Sequence, residues 1–168
     1  MSLWSELNEI YDKKGRQLYL IAYNILRSPQ LAEDAVHDAF ARLYSMNRTP
    51  ERLQAYTFQA VRNAAIDFYR SNQKIRDHGG QQQIDNQIPG KPIAPGIYLE
   101  NAEVAAQLNQ AMGCLSTDER EVIILHLHAG LRFRQVADVM DRPMGTVVSW
   151  YHRGVEKLRK TMNPADFQ

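Results

Sequence analysis

Between Arg142 and Lys160 the chain carries Arg142, Arg153, Lys157, Arg159 and Lys160 against Glu156 alone, a local excess of four positive charges. Cations gathered on one short stretch suit a polyanion, because lysine and arginine that neutralise phosphates release condensed counterions. The stretch also has the outline of a duplex reader. Phe133, Val136, Ala137 and Met140 repeat at helical spacing and stop at Asp141-Arg142-Pro143. A second helix follows with Val147, Tyr151, Val155 and Leu158 on one face. Two short helices joined by a tight turn, the second of them basic, form a helix-turn-helix pattern that sets the second helix in the major groove. Ala137 lets the second helix cross close above the first. Asp141 stands where such turns often have glycine, and aspartate is among the few residues that tolerate a left-handed backbone.

Other chemistry has little support. His126 and His128 lie two apart and do not share a helix face, and no Cys/His cluster accompanies them, so no metal site is expected. Cys114 is the single cysteine, which fits a reducing compartment and reads as a small packed hydrophobe. There is no glycine-rich phosphate loop after a strand, no nucleophile elbow and no pair of carboxylates in an evident cleft. Neither an enzyme nor a cofactor is expected. Trp4, Tyr11, Tyr19 and Tyr23 read as core, whereas Trp150 lies on or near the helix expected to face DNA. The net charge of +1 and pI near 7.9 do not exclude nucleic acid, since the placement of charge matters more than its sum. Glu6, Asn8 and Glu9 argue against a secretory leader, and the aliphatic run Val122 to Leu125 is too short to span a membrane. The expectation is a soluble, cytoplasmic protein.

The elements that must position these residues all read as helices. Trp4, Leu7, Tyr11, Leu18, Ile21, Ala22 and Ile25 fall at helical intervals across residues 3 to 27, with Gly15 as the weak point. Ser28-Pro29 starts a second helix, running to about Ser45, with Leu31, Ala35, Ala39 and Leu43 inward and Glu33, Asp34, His37, Asp38 and Arg42 outward. After Asn47-Arg48-Thr49-Pro50 a third helix spans about Arg52 to Ser71. Leu53, Tyr56, Ala60, Val61, Ala64, Ala65 and Phe68 form its apolar side, and Gln59, Arg62, Asn63, Asp67 and Arg70 its polar side. Residues 77 to 97 hold four Gly, three Pro and four Gln with no period, the composition of a flexible linker. A helix from about Leu99 to Cys114 follows. Ser116 and Glu119 then make a capping box for the next, which ends at Gly130. The fold class is therefore all-α: two small helical domains, 1–76 and 99–168, joined by a flexible linker at 77–98. The C-terminal domain has four helices, including the helix-turn-helix.

AEDAVHDAFARLY (32 to 44), AVRNAAIDFYR (60 to 70), LSTDEREVIILHLHAGL (115 to 131) and PMGTVVSWYHRGVEKLR (143 to 159) resemble, in this order, the short bacterial sigma factors of the extracytoplasmic-function group. The resemblance covers nearly all of the chain outside the linker. It implies a first domain that binds the clamp helices of the RNA polymerase largest subunit and captures the opened −10 element. It implies a second domain that reads the −35 element as duplex.

Carried onto this sequence, polymerase binding falls on Asp34, His37 and Asp38, with His37 where the family often has glutamine. The −10 pocket falls on residues 47 to 52 and on Asn63, placed to hydrogen-bond an extruded base. Arg62, Arg70, Lys74 and Arg76 would contact phosphates. In the recognition helix, starting at Met144, Gly145 and Thr146 suit a phosphate. Val148, Ser149, His152 and Arg153 point toward base edges, and Lys157 toward the backbone. The family usually has a basic residue at Val148 and often another at Trp150. Arg132 and Arg134 restore some positive charge nearby. The resemblance also implies an anti-sigma partner that clamps both domains. The competing function is a polymerase-independent helix-turn-helix regulator, but residues 1 to 76 show none of the strands or phosphoacceptor site such a protein would need. A third possibility is an interaction module whose helix-turn-helix has lost DNA binding.

Overall fold

The computed structural model describes residues 1–77 and 109–162, with side chains through Ile75 in the first segment. Every regular element within them is helical. The first domain comprises α1 (Leu3–Leu26), α2 (Pro29–Tyr44) and α3 (Leu53–Asp77). The second comprises a helical turn at 109–113, α4 (Thr117–Ile123) running into a π-helical turn (Ile124–His128), α5 (Phe133–Met140) and α6 (Met144–Thr161). The region read as linker, and most of the helix expected from Leu99, lie outside the described residues.

Local signals account for the boundaries. Ser2 Oγ accepts a bond from the Ser5 N–H at 3.2 Å, and Ser28 Oγ one from the Leu31 N–H at 3.3 Å, each relieving an unpaired donor at a helix start. Gly15 does not break α1. The helix is held beyond it by Leu18, Leu20, Ile21 and Leu26, all buried. It ends where Arg27 turns left-handed at φ 56°. Helix α3 runs past Ser71 to Asp77, because no breaker occurs before Gly79-Gly80.

The first core is centred on Leu18, Ile21, Leu43, Phe58 and Val61, with Ala32, Ala35, Ala39, Ala64 and Ala65 allowing close helix contact. Leu125, Leu131, Val136, Met140 and Val147 are the buried centre of the second. Some apolar stripes are wider than the surface that covers them. Trp4 remains 60% exposed over Tyr44, with ring centroids 4.5 Å apart, and Tyr11 remains 43% exposed edge-on to Phe40. Neither is core as the spacing suggested, since helical period does not distinguish the centre of a stripe from its edge. Cys114 is likewise exposed rather than packed.

Ser116 and Glu119 form the reciprocal capping box at α4. The chain leaves the π-helical turn through Gly130 at φ 78°, with the Leu131 N–H bonded back to Leu125 O at 3.0 Å. In the turn between α5 and α6, Asp141 is left-handed at φ 52°. The Arg142 N–H reaches Ala137 O at 3.1 Å and the Asp141 N–H reaches Asp138 O at 3.3 Å. This is the paired closure of a Schellman turn, which glycine adopts without steric cost. Asp141→Gly is therefore expected to stabilise the second domain by about 0.5–1 kcal/mol, read as a rise in its thermal midpoint.

Candidate nucleic-acid interface

Helix α6 is seated by a stripe different in detail from the expected one. Val147 and Gly154 are buried, while Trp150, Tyr151, Val155 and Leu158 are half-buried. Trp150 is half-buried and packs against the core. The key position is Gly154, which the sequence reading passed over. A Cβ there would lie 2.7 Å from Ile123 Cδ1, so the absent side chain lets α6 cross close to α4. A glycine in register with an inward stripe was the available signal. Tyr151 stands edge-on to Phe133 and His126, and His126 stacks on Phe133 with centroids 3.9 Å apart. His126 is thereby a packing residue joining α6 to α5.

The opposite side of α6 is open. His152 and Arg153 are exposed, and Val148, Ser149 and Thr146 are half-buried. Arg153 donates to Ser149 Oγ at 3.2 Å, so its guanidinium lies back along the helix face. Lys157 is exposed but bonded to Glu119 Oε1 at 2.7 Å, tying the C-terminal half of α6 to the α4 start. Burial works to raise the Glu119 carboxyl, but Lys157 and Ser116 outweigh it and hold it below the usual carboxylate range. His152 and Arg153 are therefore exposed with only contacts along their own helix, whereas Lys157 is engaged by a carboxylate of α4.

On the first domain, Asp34 and His37 are exposed on α2, and Asp38 is half-buried with Arg42 3.2 Å away. This outward face is acidic and opposite the core. Asn63 is exposed on α3 at a cleft of about 400 Å³ lined also by Ala39, Arg42, Leu43, Met46, Tyr56, Gln59 and Ala60. The volume falls in the roughly 300–1,000 Å³ range of ligand pockets. Tyr56, expected on the apolar side, is 41% exposed and lines this cleft. It adds an aromatic surface on which a base could stack, beside the amide that could read its edge. Tyr56, Gln59, Ala60 and Asn63 at helical spacing were the signal for it. Arg70 and Lys74 are exposed further along α3, and the Arg76 side chain lies outside the described residues.

Arg62 is placed differently. Its Nε bonds Glu121 Oε1 of α4 at 2.5 Å, with side-chain exposures of 15% and 2%. Burial pushes the Glu121 carboxyl up despite the neighbouring guanidinium. The two bundles are thus in contact in this structure. Asn24 Nδ2 donates to Thr117 O at 3.1 Å, Lys14 Nζ to Ala129 O at 2.9 Å, and Gln59 Nε2 to Asp138 O at 3.5 Å. Burial beside Arg27 pulls the Arg120 guanidinium down to about 10.

Two family models match the chain: sigma-70 region 2 over residues 10–75, and sigma-70 region 4 over residues 102–158. Their order along the chain is decisive. The chain belongs to the extracytoplasmic-function group of sigma-70 factors. This sigma factor is 26% identical to the ECF RNA polymerase sigma factor SigW of Bacillus subtilis, over 95% of its own length and 88% of the relative's. It is 27% identical to SigX of the same organism, covering 91% and 81%. Against SigE of Mycolicibacterium smegmatis it is 24% identical over 95% of its length, and spans 61% of that longer protein. The fold matches RpoE of Bartonella quintana, solved in complex with the anti-sigma factor NepR, with a TM-score of 0.68, 21% identity and coverage of 93% and 96%. Sigma factors are initiation factors and not enzymes. Among the described residues no helix of this one is long and apolar enough to cross a membrane.

Proposed function

We propose that this sigma factor directs RNA polymerase core to its promoters by gripping DNA at two points, one per domain. The acidic face of α2, with Asp34, His37 and Asp38, docks on the clamp helices of the polymerase largest subunit. The cleft at Asn63 takes an unstacked base of the −10 element, with Tyr56 beneath it and Arg70 on the phosphates. Helix α6 enters the major groove at the −35 element. There Arg153 and His152 meet base edges, Val148 and Ser149 flank them, and Thr146 meets the backbone at the helix start. The observation carrying this reading is a single chain with a base-sized cleft on one domain and an open recognition helix on the other. A polymerase-independent regulator would not need the first. The working compartment is the cytoplasm, where polymerase and promoter are. As the RpoE relative is solved with NepR, an anti-sigma protein is the expected inhibitor.

Polymerase docking tests the reading most directly. Asp34 is exposed and Asp38 half-buried, so Asp34→Lys with Asp38→Lys leaves the core intact. Like charges facing a basic partner helix are expected to weaken binding to core polymerase at least about 30-fold, on the order of 2 kcal/mol. Fluorescence titration with core polymerase measures it, with circular dichroism to check the fold. Unchanged affinity would remove α2 from the docking face. Absence of promoter-dependent run-off product from the parent protein with core would defeat the function itself.

A further inference from the structure

The contact between the two domains continues the apolar cluster of both and adds polar groups to it. It carries an ion pair, Arg62 to Glu121, buried on both sides, together with side chains of α1 and α3 donating to backbone carbonyls of the second domain. Among the described residues, Gln17 Oε1, Asn24 Oδ1 and Arg120 Nε, at or beside this contact, are buried without a hydrogen bond to the protein. Arg120 also has Arg27 as a like-charged neighbour across it. Polar groups left unpaired and like charges held together disfavour the closed arrangement. The buried ion pair is thus one specific interaction opposing these costs at the closed contact.

What the contact covers gives it a meaning. Arg62 lies one residue before Asn63 on α3, and Gln59, which lines the cleft beside Asn63, touches the α5 backbone at Asp138. The second domain thus engages Arg62 and touches Gln59 at the edge of the cleft. A carboxylate and a phosphate are alternative partners for the same guanidinium. We propose that the Arg62–Glu121 ion pair is an autoinhibitory latch, in which Glu121 stands in for a DNA phosphate and holds the second domain against the strand-reading face of α3. Opening releases Arg62 to the DNA backbone and uncovers Gln59. The inhibitory meaning rests on α3 being the strand-reading face, as proposed above.

The test uses the full chain in two arms. The first measures the radius of gyration by small-angle X-ray scattering for the parent, Glu121→Gln and Glu121→Lys. Glu121 faces α3, so both variants keep the second core, and circular dichroism checks this. Both are expected to expand the particle, the lysine variant more. The second arm places Asn24→Cys and Thr117→Cys in a Cys114→Ser background, away from every residue assigned to DNA or polymerase. Fluorescein-labelled oligothymidylate serves as probe, since a phosphate contact needs no particular base. Oxidised, cross-linked protein is expected to bind it at least tenfold more weakly than the same protein reduced, and Glu121→Gln severalfold more tightly than the parent. Equal binding by the cross-linked and reduced forms, or a Glu121→Lys particle as compact as the parent, overturns the latch. Expansion of the glutamate variants with no strand binding in any form instead overturns the strand-reading role of α3.

Discussion

Gly154→Leu unseats the recognition helix. At this position even a Cβ lies 2.7 Å from Ile123 Cδ1, 3.5 Å from Ile123 Cγ1 and 3.6 Å from Glu119 Cβ. A leucine side chain has three more carbons to place in a crossing already filled. Overpacking of this kind costs roughly 1–3 kcal/mol or more. A domain of this size has only about 3–9 kcal/mol in total. The displacement also pulls at the Lys157–Glu119 pair, which closes the same helix crossing. We expect a loss of about 3 kcal/mol or more, with duplex binding by α6 abolished at physiological temperature. Gly154→Ala behaves differently. The close atom is the tip of a flexible side chain that can rotate away, and alanine gains about 1 kcal/mol of helix propensity over glycine. Near-neutral stability is expected there. Urea denaturation of the two variants separates the outcomes, and a leucine variant as stable as the alanine one would refute the close crossing.

Phe58→Ala is expected to unfold the first domain. Phe58 is fully buried and the largest such side chain among the described residues, set in the same core as Leu18, Ile21, Leu43 and Val61 of the three helices. Truncation removes its transfer free energy and leaves a cavity that rigid helices cannot close, about 3–5 kcal/mol together. For a three-helix bundle that approaches the whole stability. Helical ellipticity is expected to fall at 37 °C, with loss of core polymerase binding. Phe58→Leu, which keeps most of the volume, should retain both. The contrast with Tyr56 is direct, because that ring is exposed at the cleft. Tyr56→Ala should leave the denaturation midpoint nearly unchanged.

Several elements were legible because their signals are local. Ser28-Pro29 and the Ser116/Glu119 box set helix starts within a few bonds of the residues that specify them. Asp141 marked the turn between α5 and α6 through its own backbone angle. Tyr56, Trp4 and Tyr11 were assigned to the interior because each falls in an apolar stripe. Which part of a stripe is covered depends on where neighbouring helices end, and no local pattern carries that. Arg62 illustrates the same limit for the site. Its place on the polar side of α3 was readable, but its partner Glu121 lies 59 residues further along the chain.

The amino-acid sequence alone determined the helical class, the helix starts and the basic second helix of the helix-turn-helix. These follow from periodicity, capping chemistry and local charge, which act over a few residues. Only the tertiary structure decided that Gly154 sets the depth of the recognition helix, that Tyr56 opens onto the Asn63 cleft, and that Arg62 is held by Glu121. Those depend on which surfaces meet across the chain, where burial and the pairing of charge are properties of the neighbours a residue acquires on folding.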